Sequence, residues 1–151
     1  MPSAVKSVVT FVSDAFNNSE PREYFINDCC YGDDVCKWLI QQLRKNGNDI
    51  DETPGQEDFG WYFNYVASGI PHCFVLGHRP GDQNEVAIWI GWIERRRRLA
   101  SILLRRDREI ELKAAQAIHE VLSTLPVIRQ LRWHLKSNFD KDLEELGSAM
   151  P

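Results

Sequence analysis

Three apolar segments crowded between residues 59 and 93 constrain this chain more than any other feature. Phe59, Trp61, Phe63 and Tyr65 alternate with Gly60, Tyr62, Asn64 and Val66, a period of two that sends side chains to opposite faces of a strand. Both faces carry aromatics. Ser68-Gly69 marks a turn, residues 71–78 read as a second strand, and Pro80-Gly81-Asp82 supplies the next turn. In the third segment Val86, Ile88, Ile90 and Trp92 oppose Ala87, Trp89, Gly91 and Ile93. A strand apolar on both sides is expected at the centre of a sheet with both faces covered. Consecutive strands joined by such short turns pair antiparallel.

Two helices are expected around this meander. Val35, Trp38, Leu39, Gln42 and Leu43 fall at i, i+3, i+4, i+7 and i+8, the stripe of an amphipathic helix. Asp33 or Asp34 is placed to cap it, Lys45 lies in its last turn, and Gly47 stands where a left-handed residue ends a helix. A second helix opens near Asp107, turns Ile110, Ala114, Ala117, Ile118, Val121 and Leu125 inward, and stops before Pro126. Residues 5–16 predict a first strand, with a short extended piece over 24–26, and 127–135 a last strand. Residues 95–106 read as a short helix or irregular bridge. The predicted fold is α+β: one domain over residues 1–137 in the order β-α-β-β-β-α-β. Its mostly antiparallel five-stranded sheet is packed by two amphipathic helices, each needing one face of the sheet for its stripe. A charged C-terminal tail, residues 138–151, is expected as a loose helix or disordered.

The chain has 151 residues, enough to bury roughly 70% of its unfolded surface around one core. Its net charge of −4 argues against a surface that tracks a phosphate backbone, so nucleic acid is not the expected partner. The first eighteen residues lack the pattern of a signal peptide, and no apolar run approaches the ~20 residues that cross a bilayer; a cytoplasmic protein is expected. Cys29, Cys30, Cys36 and Cys73 form no CxxC pair and, with His72 or His78, no regular zinc spacing, so thiols without a metal are expected. No motif for a cofactor or a nucleophile is present: neither G-x-S-x-G, a glycine-rich phosphate loop nor H-E-x-x-H.

The remaining candidates are charged surfaces. Residues 48–58 contain Asp49, Asp51, Glu52, Glu57 and Asp58 and no basic residue, and lead directly into Trp61. Carboxylates beside large aromatics match the composition of binding hot spots, although such carboxylates also cap turns or solvate loops. Between residues 95 and 108 stand seven arginines, beginning with Arg95, Arg96, Arg97 and Arg98. They suit bidentate pairing with carboxylates, supplied by a partner or by Glu94, Asp107, Glu109 and Glu111 nearby.

Gly32-Asp33-Asp34-Val35 followed by Trp38-Leu39, and the block Pro54-Gly55-Gln56-Glu57-Asp58-Phe59-Gly60-Trp61-Tyr62-Phe63, resemble a set of small bacterial proteins of unassigned activity. The resemblance spans about residues 24–133. It implies the fold and a bacterial origin, and no activity.

The expectation from the residues is a non-enzymatic protein-binding module, immunity-like in its most concrete form. Its contact residues would be Asp51, Glu52, Glu57, Asp58, Trp61, Arg95, Arg96, Arg97 and Arg98. The same charge complementarity would allow a homodimer. The alternative is a small enzyme or ligand-binding domain with a pocket between sheet and helices, lined by Trp61, Trp89 and Trp133.

Overall fold

The computed structural model describes residues 4–17, 20–26, 30–58, 60–81, 86–96 and 109–151. Its strands are β1 (Val8–Val12), β2 (Gly55–Glu57), β3 (Gly60–Ala67), β4 (Ile70–Arg79), β5 (Ile88–Arg95) and β6 (Arg129–His134). Its helices are α1 (Asp33–Lys45), α2 (Leu112–Ser123) and the short α3 (Lys136–Asp140), followed by a 3₁₀ turn at Glu144–Leu146. The strands form one antiparallel sheet in the order β2-β3-β4-β5-β1-β6.

The α+β architecture and the antiparallel meander are as expected, with six strands instead of five. The additional strand, β2, is the end of the acidic segment. Its Gly55, Gln56 and Glu57 pair with Tyr62, Trp61 and Gly60, and three residues without apolar alternation leave no periodicity to detect. The hairpin between β3 and β4 turns through Ser68 (φ 53°) and Gly69 (φ 72°). Two left-handed residues in a two-residue loop give the turn whose twist matches that of the flanking strands. Residues 24–26 form no strand; Phe25 N–H bonds back to the Arg22 carbonyl in a turn.

Helix α1 ends as its sequence predicts. Gly47 (φ 90°) donates to the Arg44 carbonyl and Asn48 to that of Leu43, the paired bonds that satisfy the last carbonyls of a helix. Its start differs. Gly32 occupies the cap position and no side chain caps it. Asp33 instead lies buried in the first turn, accepting the Tyr24 hydroxyl proton and sitting 3.5 Å from Lys37 Nζ, while Asp34 accepts from the Asn17 and Val35 backbone N–H groups. Both carboxylates still lie where the helix dipole favours negative charge.

Both long helices use the same face of the sheet. Val35, Leu39, Ile40 and Leu43 of α1 and Ala114, Ile118, Val121 and Leu122 of α2 close over Phe11, Phe63, Phe74, Leu76, Trp89 and Trp133. Each large apolar side chain so buried contributes about 1.5–3 kcal/mol. The Tyr65 hydroxyl ties the layers by donating 2.8 Å to the Ala114 carbonyl. Close packing of this layer requires Gly91, where an added Cβ would stand 2.4 Å from Phe74 Cζ.

The C-terminal segment is ordered against the sheet. Trp133 and Ser148 exchange two backbone hydrogen bonds, 2.7 and 2.9 Å, so residues 147–149 shield the outer edge of β6. Residues 97–106 of the segment 95–106, expected as a short helix or irregular bridge, lie outside the described residues, as does Asp107, the predicted opening of the second helix; α2 itself begins at Leu112.

Candidate functional site

The face of the sheet turned away from α1 and α2 is where side chains of contrasting chemistry converge; at its β6 end the α3 ring of Phe139 lies 5.4 Å from that of His134. The register aligns Gly55, Tyr62, Val75, Trp92, Val8 and His134 in one row across all six strands. A second row aligns Asn64, Cys73 and Glu94, and a third Gly77, Ile90, Thr10 and Arg132. Val8 and Val75 are buried within this surface, whereas Tyr62, Val66, Cys73, Ile88, Ile90 and Trp92 are half-buried. The Tyr62 ring lies over Gly55, where a Cβ would come within 2.5 Å of its Cζ. That contact joins the apolar face to the β2 edge, along which Glu52, Glu57 and Asp58 are exposed.

Placement separates the residues singled out from the sequence. Glu52, Glu57 and Asp58 are on the surface. Asp51 has a structural part: one carboxylate oxygen accepts from the Asn64 backbone N–H (2.8 Å) and side-chain amide (3.0 Å), while Asp51 N–H donates to the Asn64 carbonyl. Trp61 belongs to the core at 4% exposure, its indole N–H donating to the Cys30 carbonyl. Even spacing along β3 sends Trp61 to the helix side and its neighbour Tyr62 to the open side. Arg95 also turns to the helix side, pairing with Glu111 at 2.6 Å. Arg96 is exposed, and its backbone N–H donates to the Pro71 carbonyl. Arg97 and Arg98 lie outside the described residues. Trp89 and Trp133, expected beside a pocket between sheet and helices, are buried in the packed core at 1% and 0% exposure.

A polar cluster that the sequence did not disclose sits at the β1–β6 end of the open face. Thr10 Oγ1 and His134 Nε2 are 2.8 Å apart and buried. Arg79, at the end of β4, grips Glu144 of the C-terminal segment with two bonds of 2.6 and 3.2 Å. This pairing holds the Glu144 carboxyl below its ordinary range. The clue in the sequence was Thr10, the one polar residue in Val8-Val9-Thr10-Phe11-Val12.

Cys73 lies near the middle of the open face. Burial, with Glu94 and Asp51 adding to it, pushes its thiol up to about 11. At pH 8 only about one such thiol in a thousand is ionised, so iodoacetamide should alkylate Cys73 roughly a hundredfold more slowly than an unperturbed thiol. The rate should rise about tenfold per pH unit; peptide mass mapping across pH 7–10 checks this, and a flat profile would contradict it.

All four histidines are shifted the same way. Burial lowers the pKa of His72, His78, His119 and His134 from its ordinary value near 6.5. The unfolded chain therefore binds more protons below that value, so stability is fully present above pH 6.5 and falls as the pH drops towards the folded values. The urea midpoint should be lower at pH 5.5 than at pH 7.5, and an equal or higher midpoint would contradict these environments.

Among the described residues, no group of three or more His, Cys, Asp or Glu side chains is placed to hold a metal ion, and no helix is long and apolar enough to cross a membrane. Comparison with known proteins finds no matching family model, no matching curated protein and no matching solved structure.

Proposed function

We propose that the chain is a non-enzymatic protein-binding module that docks the β2–β5 part of the sheet face turned away from α1 and α2 against a basic surface of another protein. The observation that carries this reading is the half-buried Tyr62 ring, which shares its face with Val66 and Ile90 and lies over Gly55 of the edge strand where Glu57 is exposed, next to the exposed Asp58. An apolar, aromatic centre with a charged rim is the usual anatomy of a specific interface. The rim charge selects the partner: a like-charged acidic surface is repelled and a basic one is steered in.

A protein that acts on nucleic acid carries such a basic face. Neutralising a toxin of that kind, as an immunity protein does, is the most concrete form of the proposal. Capture from the native lysate tests it when run in parallel with wild-type chain and with the Tyr62→Ala variant. A basic protein retained by the first and lost by the second supports the reading; the same proteins on both, or none, count against it.

A further inference from the structure

Where the ends of β4 and β5 meet β1, β6 and the C-terminal segment, a cavity of about 250 Å³ is bordered by Thr10, Arg79, Ile88, Arg132 and His134, with the carboxylates of Glu144 and Glu145 at its rim. Its parts are complementary to a small molecule with one anionic end. Arg79 offers a forked guanidinium, and Glu144 already shows the geometry of a carboxylate bound to that fork. Side-chain exposure of 43% for Arg79 and 39% for Glu144 leaves this pair within reach of solvent, and exposed ion pairs of this kind are weak enough to exchange.

The deeper wall is different. Thr10 and His134 are buried at 8% and 3% exposure and bond to each other through Oγ1 and Nε2, while the Nδ1 side of the His134 ring packs against Gly147. Ile88 supplies an apolar side. None of these residues is among the side chains named for the docking surface, although Arg79 and Ile88 lie at the ends of the strands β4 and β5 that carry part of it.

We propose that this cavity binds a small organic carboxylate, and that Glu144 is its intramolecular stand-in. The ligand's carboxylate takes the place of the Glu144 side chain on Arg79, its carbon body rests against Ile88, and the Thr10 hydroxyl, which can make a second hydrogen bond, meets a polar substituent. The C-terminal segment stays attached through the Trp133–Ser148 bonds while Glu144 swings away.

Competition gives the proposal a specific test on the intact chain. Succinate is titrated against protein labelled at histidine, with the His134 ring signal as readout, and inorganic phosphate is run as the tetrahedral comparison. Saturable binding is expected, tightening about fivefold in Glu144→Gln because the Glu144 carboxylate no longer competes for the guanidinium. Arg79→Gln should abolish it, and Arg79→Lys, which keeps the charge but loses the fork, should weaken it by a similar factor and serves if the glutamine variant fails to fold. Absence of saturation in both wild type and Glu144→Gln would overturn the site. So would unchanged affinity in Glu144→Gln, full affinity in the Arg79 variants, or tighter binding of phosphate than of succinate.

Discussion

Trp89→Ala is expected to lower stability by about 3–5 kcal/mol, the usual cost of deleting a buried tryptophan side chain. Trp89 is 1% exposed, stacks on Phe11 at 6.5 Å between ring centroids, meets Phe16 edge-on at 6.4 Å and lies 4.6 Å from the His78 ring. Removing it leaves a cavity enclosed by other rings, which cannot collapse without giving up their own contacts. In a chain of this size the loss corresponds to a fall in melting temperature of roughly 10 °C. Ile90, the next residue along β5, faces the other way and is half-buried. Ile90→Ala should therefore cost far less, and thermal denaturation of the two variants side by side tests which face of the sheet is the core. Equal losses would contradict the one-sided helix layer.

That sidedness marks the limit of what could be read beforehand. The meander was legible because period-two alternation and the Ser68-Gly69 turn are local, and α1 because its stripe and its Gly47 stop agree. Four of the five tryptophans fall on strands, Trp61, Trp89, Trp92 and Trp133, with Trp38 on α1, as alternation implied. Alternation shows which residues share a face but not which face the helices take, and on the strand around Trp89 both rows are apolar. Insertion of β1 between β5 and β6 depends on pairing between segments far apart in the chain, such as Phe11 with Trp89, which no short window contains.

The candidate surface was half legible for the same reason. Composition marks the acidic residues, but Trp61 of the same run faces the core, and the aromatic on their side of the sheet is Tyr62. The Thr10–His134 and Arg79–Glu144 pairs join residues 124 and 65 positions apart, and charge counting along the chain does not reveal such pairs. The arginine segment separates in a similar way: the one described pair, Arg95 with Glu111, ties β5 to the start of α2.

On the proposed docking face, Tyr62→Ala should weaken partner binding by about 2 kcal/mol, or roughly thirtyfold, because half-buried aromatics at the centre of an interface carry most of its energy. The effect should fall mainly on the dissociation rate. Reversing the rim with Glu57→Lys and Asp58→Lys should instead slow association with a basic partner and flatten its dependence on salt. Two kinds of variant with two kinetic signatures distinguish a docking surface from a general loss of folding, which would alter the circular dichroism of both.

The most direct measurement is calorimetric titration of the captured and purified partner into wild-type chain and into folded Tyr62→Ala. The account predicts saturable binding to the wild type, about thirtyfold weaker in the variant and weaker still in raised salt. Equal affinity for both proteins, or affinity indifferent to salt, would contradict it.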